Sequence, residues 1–182
     1  MGKLRFVLVG CGRIAKKHAE VLTSVLKDEA ELAAVCDIKP DRAKALGEKY
    51  HVPYFSSYDD MLNSIEADVV SILTESGNHA RHTIDIVKKY RKHMVVEKPM
   101  ALLLDDADQM IRSCDEAGVK LFVVKQNRYN LPVMKLREAL EAALKSEEGQ
   151  KAGQWLHSFT QGRFLLMISR YSRFSRVVSC LS

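Results

Sequence analysis

Residues 4–15 read LRFVLVGCGRIA: six apolar-dominated residues, then a turn containing two glycines, then a helix-like start. A continuous apolar run that ends abruptly in glycine marks a strand covered on both faces, and such strands belong to parallel sheets sandwiched between helices. Gly10, Gly12 and Ala15 fall in the spacing G-x-G-x-x-G/A. Each position has a physical task. The first glycine permits the tight turn, the second lets backbone approach a pyrophosphate, and the small third residue lets the helix lie close to the strand. The amides at the start of that helix then face the phosphates.

Working outward, the strand-then-helix alternation repeats. ELAAVC (31–36), Tyr54–Phe55, DVVSIL (68–73), MVV (94–96) and KLFVV (120–124) complete six expected strands. Helical periodicity is expected over Ile14–Leu26, 41–49, Asn78–Tyr90, from Asp105 onward, and over Pro132–Leu144. Strands separated by helices pair in parallel through right-handed crossovers. The expected fold class is therefore α/β: a doubly wound, mostly parallel six-stranded Rossmann sheet with helices on both faces, binding its ligand at the carboxyl ends of the strands.

Asp37 closes the second strand 22 residues beyond Ala15, where a carboxylate can accept hydrogen bonds from an adenosine ribose. The same charge repels a 2′-phosphate, so the expected cofactor is NAD rather than NADP. S-adenosylmethionine enzymes also use a glycine-rich first turn, but the first strand here lacks the acidic residue that usually precedes theirs.

Charge narrows the partners. The formal net charge is +5, and residues 151–182 hold five Lys or Arg and no acid; 28 basic residues less those five leave 23 against 23 acidic ones in the first 150. A neutral body lacks the basic face that phosphate backbones require, which argues against nucleic acid. No apolar run approaches a membrane span, and the start shows no signal-peptide pattern, so a cytoplasmic location is expected. Cys11, Cys36, Cys114 and Cys180 are scattered without metal-ligand spacing, and no metal site is expected.

VGCGRIA (9–15), Asp37, TESGNH (74–79) and VEKPM (96–100), in this order and spacing over residues 4–145, resemble the Gfo/Idh/MocA oxidoreductases. The stretch from Val96 to Leu140 is similar in particular to the UDP-N-acetylglucosaminuronate 3-dehydrogenases of bacterial surface-sugar (lipopolysaccharide) pathways. The resemblance implies a nucleotide-sugar substrate oxidised at its 3-hydroxyl with NAD. It places Glu97 and Lys98 beside the nicotinamide, with Lys98 as the catalytic group near the hydroxyl. Hydride leaves carbon as a proton leaves oxygen, so such a site needs a base or proton relay.

The resemblance also implies cofactor contacts from Gly10, Gly12, Arg13, Ile14, Asp37, Thr74, Glu75, Asn78, Glu97, Lys98 and Gln126. Lys98, Asn127 and Arg128 would face the substrate. Two residues keep two readings each. His79 either serves the cofactor or stands in a first helical turn capped by Asn78. Arg128 either pairs with a substrate carboxylate or phosphate, or is a surface arginine.

Residues 1–148 are expected to form the NAD-binding domain, and 149–182 a basic, serine-rich tail in place of the family's second, substrate-binding domain. On that expectation the chain is a truncated dehydrogenase, inactive alone; the alternative is a dinucleotide-binding module without turnover. A possible homo-oligomer follows from the surface the missing domain would leave bare, which FLLMI (164–168) or a second chain is expected to cover.

Overall fold

The computed structural model describes residues 2–125 and 131–144. The first compact unit ends at Lys125. It contains β1 (Leu4–Val9), α1 (Arg13–Glu20), β2 (Ala30–Cys36), α2 (Pro40–Tyr50), β3 (Tyr54–Phe55), α3 (Tyr58–Ser64), β4 (Val69–Ile72), α4 (His79–Tyr90), β5 (His93–Val96), α5 (Leu104–Ala117) and β6 (Leu121–Val123). The strands form one six-stranded sheet in the order β3-β2-β1-β4-β5-β6. Every pairing is parallel. This is the doubly wound topology, with its switch point between β1 and β4.

Side chains alternate across the sheet. Val7, Val9, Ala34, Cys36, Val70, Ile72, Met94 and Val96 share one core with Met61 and Leu62 of α3, Ile86 and Val87 of α4, and Met110 and Cys114 of α5. Phe6, Leu8 and Val35, all fully buried, take the opposite face. Right-handed crossovers put α1 and α2 on that side. Each large apolar side chain so enclosed contributes about 1.5–3 kcal/mol, which is what holds the sheet's register.

Local chemistry sets the helix boundaries. Pro40 opens α2 at a position where its missing amide costs nothing. Ser57 caps α3, its hydroxyl accepting from the amides of Asp59 and Asp60. Gly118 ends α5 in the left-handed region at φ 68°.

The first helix departs from expectation in its last turn. The helical stretch expected over Ile14–Leu26 is present, but α1 proper stops at Glu20 and its continuation over Val21–Val25 is π-helical. Thr23 donates to the Ala19 carbonyl at 2.8 Å and Ser24 to that of Glu20 at 2.5 Å. Hydroxyls bonded back onto such carbonyls compete with the regular ladder, which accounts for the widened turn.

A second compact unit begins at Gln126. Within it α6 (Leu131–Leu144) is described, with Lys135 and Glu138 paired at 2.7 Å on its surface. The expected tail, including FLLMI, lies outside the described residues, as does Cys180.

Candidate functional site

Parallel pairing aligns the strand ends in one row: Val9 stands opposite Cys36 and Ile72, Ile72 opposite Val96, and Val96 opposite Val123. The next residues out are joined by backbone bonds that extend the ladder. Gly10 N donates to Cys36 O at 2.7 Å, Leu73 N to Val9 O at 2.8 Å, Glu97 N to Ile72 O at 3.1 Å and Val124 N to Val96 O at 2.9 Å. Asp37, Gly10, Thr74 and Lys98 are thereby brought to a single carboxyl edge. That edge is where an open α/β sheet presents a crevice.

The two glycines of the turn differ in what they do. Gly10 has φ 101°, and a Cβ there would lie 2.7 Å from the Leu73 carbonyl carbon and oxygen. No other residue fits between β1 and the loop after β4. A Cβ on Gly12 would meet nothing within 4 Å, so its surroundings are open. Gly12 is the N-cap of α1 and has no side chain to bond the helix's first amides, and no acid stands in the first turn. A free helix start beside an open space suits a phosphate. Arg13 is exposed and Ile14 half-buried at this mouth, while Ala15 is fully buried and lets α1 lie close.

Asp37 is only 8% exposed. Its Oδ2 accepts the Cys11 amide at 2.7 Å and its Oδ1 the Lys39 amide at 2.8 Å. The carboxylate thus braces the glycine-rich turn from the neighbouring strand, and each oxygen keeps a further lone pair for a ligand hydroxyl. The buried thiols nearby are inert. Burial first, then the Asp37 charge, pushes Cys11 and Cys36 up to about 12. Burial and Asp115 push Cys114 up to about 11.

On the loop after β4, Glu75 is exposed and Thr74 and Asn78 are half-buried. Asn78 stands at the N-cap of α4 without a side-chain cap bond; its Oδ1 instead accepts from Arg81 at 3.3 Å. The Thr74 hydroxyl pairs with His82 Nδ1 at 3.2 Å, and burial, then Arg81, holds the His82 imidazole below its usual range.

His79 and Glu97 sit behind this edge. His79 opens α4 directly after Asn78, the second of its two expected readings, and is 1% exposed, with Nδ1 2.8 Å from Pro99 O and Nε2 3.0 Å from Thr74 O. Its imidazole joins the loop after β4 to the turn after β5, and both nitrogens are spent on backbone. Glu97 is 5% exposed. Its Oε1 accepts from His18 Nε2 at 3.1 Å and its Oε2 from the Lys98 amide at 3.1 Å. Burial pushes this carboxyl up, but those two bonds and the adjacent positive charge of Lys98 outweigh it and hold it below its usual range.

Lys98 is exposed, precedes a cis peptide bond to Pro99, and its ammonium makes no hydrogen bond among the described residues. Gln126, Asn127 and Arg128 lie outside the described residues. Among the described residues no cluster of His, Cys, Asp and Glu could hold a metal, and no helix is long and apolar enough to cross a membrane.

Sequence reasoning missed His18. The available signal was its position on the buried face of α1 with Ala15 and Ala19, a polar residue where an apolar one is expected.

Comparison with known proteins agrees with this geometry. Residues 4–125 match the family model for Gfo/Idh/MocA oxidoreductases, NAD-binding Rossmann fold. The myo-inositol 2-dehydrogenase of Thermotoga maritima is 35% identical over 141 residues, covering 76% of this chain and 41% of the relative. The D-glucoside 3-dehydrogenase of Escherichia coli is 33% identical over 139 residues, covering 74% and 38%. Among solved structures, the WlbA dehydrogenase of Bordetella pertussis, in complex with NADH and UDP-GlcNAcA, superposes with a TM-score of 0.75 at 42% identity, covering 78% of this chain and 43% of that one. The chain thus spans about two fifths of the length of these relatives.

Proposed function

Since the chain belongs to the Gfo/Idh/MocA oxidoreductase family, an NAD-binding Rossmann fold, we propose that its residues 1–148 form the cofactor-binding part of a sugar dehydrogenase. The substrate is the 3-hydroxyl of a UDP-linked N-acetylhexosaminuronic acid. The observation that carries the reading is the convergence at one sheet edge of the open Gly12 turn, the braced Asp37 carboxylate and the exposed Lys98. The substrate class is supported by the 42% identity to a dehydrogenase solved with NADH and UDP-GlcNAcA.

The residues present fit a dinucleotide. The amides at the start of α1 and the open face of Gly12 would hold the pyrophosphate, with Arg13 and Ile14 at the rim. Asp37 would accept the ribose hydroxyls, and Thr74, Glu75 and Asn78 would flank the nicotinamide half. When bound, NAD supplies the hydride acceptor. Lys98 orients the sugar hydroxyl and takes part in moving its proton, while Asn127 and Arg128 bind the polar substrate groups. Glu97 and His79 act from behind, fixing the backbone on which Lys98 and Thr74 stand.

Fluorescence titration with NADH tests the cofactor half; absence of binding overturns it. Saturation-transfer NMR with UDP-N-acetylglucosaminuronic acid in the presence of NADH tests the substrate half, with myo-inositol as comparison. Transfer to the hexuronic ring is expected, and equal or greater transfer to inositol overturns the substrate class. Steady-state NAD reduction by the 182-residue chain itself, at about 1 per second or faster, would make it a working enzyme rather than a cofactor-binding module.

A further inference from the structure

His18 is fully buried, 0% exposed, on the helix that starts at the glycine-rich turn. Its Nε2 lies 3.1 Å from Glu97 Oε1. An ionised carboxylate only accepts, so Nε2 carries the proton. The other oxygen of the same carboxylate accepts the Lys98 amide at 3.1 Å. One short chain of bonds therefore runs from α1, through a buried carboxylate, to the backbone of the exposed lysine. Two further facts weigh against packing as the histidine's whole purpose. Its Nδ1 is enclosed without a hydrogen-bond partner among the described residues. A leucine or methionine would fill the same space without burying that atom, so the ring is disfavoured there except for its bond to Glu97.

We propose that His18 is a positioning residue: through Glu97 it fixes Lys98 relative to the glycine-rich turn, so that occupation of the turn by dinucleotide phosphates and placement of the Lys98 ammonium are coupled. This rests on the reading of Lys98 as the proton-transfer group. The coupling is reciprocal, because whatever stabilises one arrangement of the chain of bonds favours ligand binding to it.

The test is competitive acetylation of the full chain with limiting acetic anhydride, read by peptide mass spectrometry as the rate at Lys98 relative to the exposed Lys44 and Lys88. In His18→Leu the relative rate at Lys98 is expected to change by about threefold or more, and NADH affinity to fall by a similar factor, within the range by which residues away from a ligand alter coupling. His18→Gln, whose side-chain amide can donate to the same carboxylate oxygen, is expected to restore both. An unchanged Lys98 rate in a folded His18→Leu protein, or no restoration by glutamine, overturns the proposal. Should the leucine variant fail to fold, NMR of 15N-histidine in the wild-type chain still decides: a proton on Nδ1 with none on Nε2 overturns it. Failure of the wild-type chain to bind NADH would instead sink the cofactor reading, and the acetylation ratio would still report on His18 and Lys98.

Discussion

Replacing Asp37 by alanine withdraws one carboxylate from two amides at once, and the two losses differ. Cys11 is 7% exposed, so its amide loses a 2.7 Å bond where water cannot substitute. A buried donor left unsatisfied costs about 1–3 kcal/mol. Lys39 is exposed, and water takes over its 2.8 Å bond at little cost. Stability is therefore expected to fall by about 2 kcal/mol, or roughly 4–8 °C in Tm. The cofactor effect is separate. Hydrogen bonds to a charged acceptor are worth about 1.5–3 kcal/mol, so NADH affinity should drop about 10- to 100-fold, while NADPH is relieved of repulsion. Asp37→Asn divides the two: its oxygen still accepts the Cys11 amide, so most of the stability returns, but the preference for NADH still narrows. Urea unfolding followed by circular dichroism and parallel NADH and NADPH titrations measure both. An alanine variant as stable as wild type, or a wild-type chain that binds NADPH as tightly as NADH, would refute the reasoning.

The two glycines of the turn should respond oppositely. Gly10→Ala pushes a methyl into the Leu73 carbonyl at positive φ and should cost about 2–4 kcal/mol in urea unfolding, whereas Gly12→Ala should leave stability within about 0.5 kcal/mol and abolish NADH binding; equal stability of the two variants would contradict the assignment. Leu103, 66% exposed at the N-cap of α5 with Asp106 three residues on, offers no side-chain cap; Leu103→Ser should raise stability by about 1 kcal/mol in the same assay. Glu97, held below its usual 4.5, favours the fold in its ionised form, so its contribution is complete above that unfolded value and disappears as pH falls through the lower folded one. The urea midpoint of wild type should exceed that of Glu97→Gln near neutrality, and the gap should close on acidification from about pH 5 to 3; a gap independent of pH would count against it.

The parts of this fold that are legible in the chain are those whose causes are local. A glycine that must adopt positive φ, an apolar run covered on both faces, and an acid at a strand end each depend on a few neighbouring residues. The turn at Gly10, Asp37 at the strand end and the doubly wound parallel sheet followed from them. The helical stretch over Ile14–Leu26 is legible because apolar spacing continues through Val21 and Leu22, but its π-helical last turn is not, since that depends on how the hydroxyls of Thr23 and Ser24 bond back to the backbone. The partners of Glu97 and His79 were illegible for another reason. His18 and Glu97 are 79 residues apart, and their meeting depends on how α1 lies over the row of strand ends, which no window of sequence contains. The motif reading ranks residues by type, so it set Glu97 beside the nicotinamide and left His79 two readings; neither their burial nor their partners is visible to it.

The His79 imidazole, bonded to Thr74 O on one side and Pro99 O on the other, has a kinetic meaning as well. Loops at the mouth of a sheet ordinarily breathe independently, each with its own opening rate. Here the loop after β4 cannot lift away without surrendering a bond to the same ring that holds the turn after β5. Amide exchange across 74–78 and 97–101 should accordingly proceed as one event with one rate, so that a ligand entering over either segment meets a doorway whose two jambs swing together.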